Sequence, residues 1–386
     1  MALVVKEKDA RLSFQESTEL VRIAVNQSQP TSDKVYRYMS TFPSWVPGAD
    51  LPWDRVDMNG AAGVHKATYG AHVYTMSGVA VFRAVADSGR DRRDNAASTA
   101  DNSQRGLDLH TIQGCFTSKG LSNRPFVFDV THVAGGRTFA TWYVKVRQPT
   151  TGSEVMADGR FPLSDAEKPL GPVCFTALCS LKNPEDTYVD NQQQPAQERL
   201  SAILSSRPPE AWPHAPSVDF KWMTSLFPNP GPGKFPIIEM RKVDMTEYNA
   251  SRPPAERREI LLYRLLHPLP SDDPNQHALV HAFAADRNGL LMLANDYDMD
   301  LILQSAATLT WTFFMHTNVE NAIMQCDESG EGGWWILEDS FPRGTAGRGY
   351  VEGKIWSPEG VHVATAVQDG IARAFPPEEA KLPSKL

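Results

Sequence analysis

The feature that most limits the fold of this 386-residue chain is that it says the same thing twice. In the first half, "YGAHVYTMSGVAVFRAVAD" (Tyr69 to Asp87) places Val73, Met76, Ser77, Ala80 and Ala84 at the i, i+3, i+4 spacing of an amphipathic helix. It is followed by four stretches rich in β-branched and aromatic residues, "LDLHTIQGCF", "FVFDVTHV", "GRTFATWYVKVRQ" and "VCFTALCSL". In the second half the strands "FPIIEMRKV" and "EILLYRLL" lead into a long helix over Asn275 to Leu293. Four more strand-like stretches come after it, "AATLTWTFFMH", "WWILEDSF", "GRGYVEGKIW" and "VHVATAVQDGIAR". A period of roughly 210 residues predicts a duplicated α+β module, each copy an antiparallel sheet curled over one central helix.

Between the halves lies "SSRPPEAWPHAPSVDFKWMTSLFPNPGPGK" (Ser205 to Lys234), whose seven prolines forbid a regular element. The expected organisation is an N-terminal module over 1–183, a Pro-rich surface linker over 184–233 with a short helix near Glu198 to Leu204, and a C-terminal module over 234–376. An exposed tail over 377–386 completes it.

The net charge of −8 argues against a nucleic-acid partner, which would meet a basic field. No apolar run is long enough for a membrane span. The four cysteines, Cys115, Cys174, Cys179 and Cys326, form no C-x-x-C and are expected as reduced core thiols. The chain ends in Ser384-Lys385-Leu386, the tripeptide read by the peroxisomal import receptor, which makes that receptor an expected partner and the peroxisome the expected compartment.

Several motifs are weak on inspection. His277 and His281 stand four apart as in a zinc helix, but the glutamate of H-E-x-x-H and a third ligand are missing, so no metal is expected. "GPGKF" lacks the rest of a phosphate loop, and no G-x-S-x-G elbow is present.

"HAFAADRN" (His281 to Asn288), "ATLTWTFFMH" (Ala307 to His316) and "VATAVQDGIAR" (Val363 to Arg373) resemble, in order and spacing, the C-terminal motifs of the acyl-CoA thioesterase II family, and "GGRTFATWYVKVRQ" is similar to its N-terminal strand pair. The resemblance implies a tandem (double) hotdog fold and hydrolysis of acyl-CoA to free acid and CoA, with no cofactor beyond the CoA of the substrate. It implies that Asp286, Thr308 and Gln368 hold and activate the attacking water. Two departures stand out. Where the family often has Asp-His two residues after the Thr, this chain has Thr310 and Trp311, and Gly70-Ala71-His72 stands where the family has Gly-Gly-Gln. These departures and the long inserts point away from an ordinary fatty-acyl chain, towards a specialised or polyketide one. Two other readings remain: a non-catalytic acyl-CoA-binding scaffold, and a hotdog enoyl-CoA hydratase or dehydratase using His72. A homo-oligomer is compatible with any of them.

The residues themselves say why such a site is reasonable. Asp286 has apolar residues at −7, −4, −3, +4 and +7, so its helical face is expected to be buried, and burial raises a carboxylate into the range of a general base. A buried Gln such as Gln368 must satisfy its amide and can fix a water or a carbonyl. Gly70 and Arg348 are the candidate substrate-binding residues. Arg343 and Arg348 flank a turn where CoA phosphates could lie. The clustered Asp296, Asp298 and Asp300 are expected to be solvated, with Asp296 the reserve candidate for the acid.

Overall fold

A computed structural model describes residues 11–25, 34–49, 51, 67–94, 106–221, 231–297, 303–326 and 332–374. Among these residues, twelve strands form one antiparallel sheet. The first half supplies β1 (Leu20–Arg22), β2 (Val35–Ser40), β3 (Asp108–Phe116), β4 (Val127–Gly135), β5 (Phe139–Pro149) and β6 (Leu170–Lys182). The second supplies β7 (Ile238–Lys242), β8 (Arg258–Leu265), β9 (Leu303–Met315), β10 (Trp335–Thr345), β11 (Arg348–Trp356) and β12 (His362–Ala374).

The order β1-β2-β4-β5-β6-β3-β9-β12-β11-β10-β8-β7 reads the same pattern outward from its centre in both directions. The halves meet where β3 pairs with β9, Thr111 opposite Phe314 and Cys115 opposite Thr310. The expected α+β double hotdog is therefore present. The sequence reading missed β1 and β2, which are short, and which make the first module match the second strand for strand.

The central helix of the first module is α1 (Gly70–Asp94). Val73, Met76, Ser77, Ala80 and Ala84, the stripe expected from spacing, are all buried. The helix meets its counterpart closely: a Cβ on Gly78 would lie 2.4 Å from Leu279 Cδ2, so a larger residue there requires Leu279 to move.

The second module departs from expectation in an informative way. The helix expected over Asn275 to Leu293 is two helices, α2 (Pro274–Ala284) and α3 (Gly289–Asp296). Asn288 between them is left-handed, with φ 61°. Asn tolerates that conformation better than most residues, and Gly289 follows without a side chain to obstruct the restart. Asp286 thus sits on the joint between two helices, not on the face of one.

The Pro-rich segment is more than a surface strap. Ala196, Leu200 and Trp212 pack with Val243, Met245, Ile260, Leu262, Ile336 and Trp356 into a second small core. Further along, the segment holds the helix joint by its carbonyls. Arg287 Nη2 donates to Ala215 O and Pro216 O at 3.2 and 2.9 Å, and Asn288 Nδ2 donates to Pro216 O at 2.8 Å. The Arg287 guanidinium also lies over Phe235 and Trp45, at 3.9 and 4.9 Å from the ring centroids.

All four cysteines are free. Cys174 and Cys179 are buried as expected, but Cys115 is exposed, on the outward side of β3.

Candidate active site

The site lies where α1 begins, α2 ends and the middle of the sheet passes beneath. Asp286 is 8% exposed. Its Oδ2 accepts the backbone N–H of Ala71 at 3.0 Å. Its Oδ1 accepts Gln368 Nε2 at 2.6 Å. The same Nε2 donates to Thr308 Oγ1 at 2.6 Å. The three residues implied by the sequence resemblance, from a helix joint and two strands, are therefore one hydrogen-bonded group.

Each arrives by a local device. Asp286 is presented by the helix break, and Gly70 lets it approach the amino end of α1, because a Cβ there would be 3.0 Å from Asp286 Oδ2. Gln368 faces inward by the simple alternation of β12, opposite Val351 on β11 and Trp311 on β9. Gly289 leaves room for it, since a Cβ there would lie 3.1 Å from Gln368 Oε1. Thr308 needs a bulge. The β12–β9 register slips between Asp369 opposite Thr310 and Gly370 opposite Thr308, which leaves Leu309 over. Without that extra residue Thr308 would share the outward side with Thr310; with it, the hydroxyl turns toward Gln368.

The electrostatics suit proton transfer. Burial pushes the Asp286 carboxyl up to about 7, against the lowering pull of Tyr74, the Ala71 N–H and Gln368. Both hydrogens of the Gln368 amide are used, one on Asp286 and one on Thr308. Thr308 Oγ1 is then an acceptor from Gln368, and its own hydrogen is left for another oxygen. Each carboxylate oxygen of Asp286 accepts one protein hydrogen bond and retains capacity for a second.

Tyr74 is the neighbour that sequence reasoning missed. Its buried hydroxyl lies against Asp286 without hydrogen-bond geometry, and its ring stacks on Trp311 with centroids 3.6 Å apart and planes 8° apart. The available signal was its place one helical turn after Gly70. Trp311, one of the two departures from the family pattern, thus serves as the platform for Tyr74, while Thr310 is exposed.

Other candidates fall elsewhere. Arg348 is not brought to the group; it lies on the outer face of β11, 3.4 Å from Asp369 Oδ2, while the inward residue near Gln368 is Val351. His72 accepts the Trp45 N–H at 3.2 Å, and burial holds it neutral, down at about 3. His281 is committed to Tyr263 Oη at 2.7 Å and Ala322 O at 2.8 Å, and His277 to Pro270 O and the Met324 N–H. No cluster of three metal-binding side chains exists among the described residues.

The expectation for Asp296 is overturned. It is 7% exposed, not solvated; Arg257 approaches its carboxylate at 3.8 Å, and burial raises it to about 6. Proximity in sequence misled because Asp296 closes α3 and turns inward. Asp298 and Asp300 lie outside the described residues, as do Ser384, Lys385 and Leu386.

Comparison with known proteins bears on the C-terminal module and on the fold. Residues 227–372 match the family described as Acyl-CoA thioesterase C-terminal domain. The fold is similar to acyl-CoA thioesterase II TesB2 from Mycobacterium marinum, at TM-score 0.55 and 19% identity, over 94% of this chain and 99% of that one. A tesB protein from Mycobacterium avium subs paratuberculosis gives TM-score 0.53 and 15% identity over 93% and 98%. A hot dog fold protein from Alicyclobacillus acidocaldarius gives 0.53 and 12% over 94% and 98%. No curated protein matches the sequence. The chain is a double hotdog whose residues 227–372, which hold Asp286, Thr308 and Gln368, match the acyl-CoA thioesterase C-terminal domain family.

Proposed function

We propose that this protein hydrolyses acyl-CoA thioesters to the free acid and CoA, and that Asp286 is the general base. The observation that carries the reading is the hydrogen-bonded group of Asp286, Gln368 and Thr308 in a segment matching the thioesterase domain. A water held between the free lone pair of Asp286 and Thr308 loses a proton to Asp286 as its oxygen attacks the thioester carbonyl. The tetrahedral adduct collapses with cleavage of the C–S bond, and the proton passes from Asp286 to the departing thiolate. A carboxylate near 7 suits both halves of this transfer, being basic enough to take the proton and acidic enough to return it. Gln368 fixes the orientation of both partners. No redox or metal chemistry is needed for the step.

The departures at Ala71, His72, Thr310 and Trp311 favour a specialised acyl chain over a plain fatty one. Release of CoA thiol from a panel of acyl-CoAs of different length and decoration tests the activity. Thiol release from at least one thioester supports it; none from any would overturn it in favour of an acyl-CoA-binding scaffold. Peroxisomal import through Ser384-Lys385-Leu386 belongs to the same proposal. A reporter carrying these residues at its end should enter peroxisomes, and a diffuse reporter would count against it.

A further inference from the structure

A second acid shares the interior with Asp286. Asp339, on β10, is 1% exposed, and neither of its carboxyl oxygens has a hydrogen-bond partner among the described residues. Buried carboxyls in native proteins are almost always paired, so an orphan of this kind marks a place for an ordered water or a ligand. Its neighbours do not relieve it. Glu259 stands directly opposite on β8 and Glu338 precedes it in sequence. The nearby cation, Lys242, is bound to Asp219 and Glu259 at 2.7 and 3.3 Å.

The direction of the side chain is fixed by what lies under it. Asp339 pairs with Gly353 on β11, and a Cβ on Gly353 would lie 2.7 Å from Asp339 Oδ1. The carboxyl therefore leans over β11 toward β12, the strand of Gln368. Gly353 in turn pairs with Ala366, two residues from Gln368 on the same inward face. The sheet between Asp339 and Gln368 is thus floored by Gly353, Ala366 and Val351. Two strand spacings and one side-chain repeat put the two residues roughly 12 Å apart along this floor. Burial first, then the charges of Glu259, Glu338 and Asp286, hold the Asp339 carboxyl well above the usual carboxylate range. This favours the protonated form of the acid, which has one O–H to give and oxygen lone pairs to accept.

We infer that Asp339 binds an oxygen substituent, a hydroxyl or carbonyl, on the acyl chain, placed several carbons beyond the thioester. The inference rests on reading Asp286 and Gln368 as the thioester end of the site. A neutral acid pairs well with a neutral hydroxyl or carbonyl. A plain hydrocarbon chain would leave it unpaired, which is the condition under which binding sites discriminate strongly.

The test uses the full chain with three substrates of equal length, decanoyl-CoA, β-hydroxydecanoyl-CoA and ω-hydroxydecanoyl-CoA, on wild type, Asp339→Leu and Asp339→Asn. Wild type should favour the ω-hydroxy substrate in kcat/KM by about tenfold or more over the other two. Asp339→Leu should remove that preference, and Asp339→Asn, which keeps a donor and an acceptor, should retain part of it. Thermal unfolding checks that Asp339→Leu folds, which is expected because an unpaired buried acid gives way to an apolar side chain of similar size. Calorimetry with the non-hydrolysable thioether analogues gives the same comparison without turnover. Hydrolysis or binding with no preference for the ω-hydroxy chain, or a preference unchanged in Asp339→Leu, would overturn this inference while leaving the thioesterase reading intact. Selective binding of the ω-hydroxy analogue with no hydrolysis of any substrate would do the reverse.

Discussion

Gln368 donates to Asp286 Oδ1 across 2.6 Å, and this bond pulls the carboxyl down against the burial that raises it. Gln368→Ala removes a contact that favours the ionised form. The sign follows: the Asp286 pKa, already about 7, should rise further. In a pH–rate profile the acidic limb of the variant should move to higher pH, and kcat at neutral pH should fall roughly tenfold to a hundredfold as the base is both protonated and less well oriented. A variant whose limb stays in place, or moves to lower pH, would separate Gln368 from the base.

Asp286 should also cost stability when ionised. Its folded value of about 7 is above the ordinary 3.8, so the folded state holds the proton more tightly than the unfolded chain. The associated stability is fully present below about pH 3.8 and is lost as pH rises through 7. Asp286→Asn removes this dependence. The variant should gain on wild type by at most about 4 kcal/mol at alkaline pH, with the difference shrinking toward zero in acid. Denaturant unfolding at several pH values measures it. A variant less stable than wild type at alkaline pH would show that the ionised carboxylate is held by more than the bonds described.

The crossing of the two central helices gives a purely mechanical prediction. With Leu279 Cδ2 only 2.4 Å from where a Cβ would stand, Gly78→Val must displace the Leu279 side chain or push α1 away from α2. Overpacking of this kind costs on the order of 1–3 kcal/mol, added to the lower helix preference of a β-branched residue. Chemical denaturation should show the loss. An unchanged midpoint would mean that Leu279 swings aside freely.

Much of this architecture was legible in the sequence because its signals are periodic. The buried stripe of α1 follows from spacing alone, and the choice of Asp286, Thr308 and Gln368 follows from the family resemblance of the motifs that hold them. The devices that aim the side chains are not periodic, and they were missed. The joint after Ala284 depends on a left-handed Asn288 and on Pro216 accepting from Arg287 and Asn288, partners about 70 residues away in sequence. The spacing argument put Asp286 on a buried helical face; it is buried, but by the break in that helix. The bulge at Leu309 is a property of pairing between two strands, which neither strand announces. Asp296 was misread for the opposite reason, because a cluster of acids looks solvated until the chain turns one of them inward. Asp339 drew no notice because nothing in "WWILEDSF" distinguishes an inward acid from an outward one in an otherwise buried strand.

The most direct test of the central claim is the rate of CoA thiol release, at saturating acyl-CoA and neutral pH, by wild type and by Asp286→Asn. The substitution keeps the size of the side chain and removes its ability to take a proton. The account predicts a fall in kcat of about a hundredfold to ten-thousandfold, with folding retained. Thiol release by Asp286→Asn at the wild-type rate would contradict it.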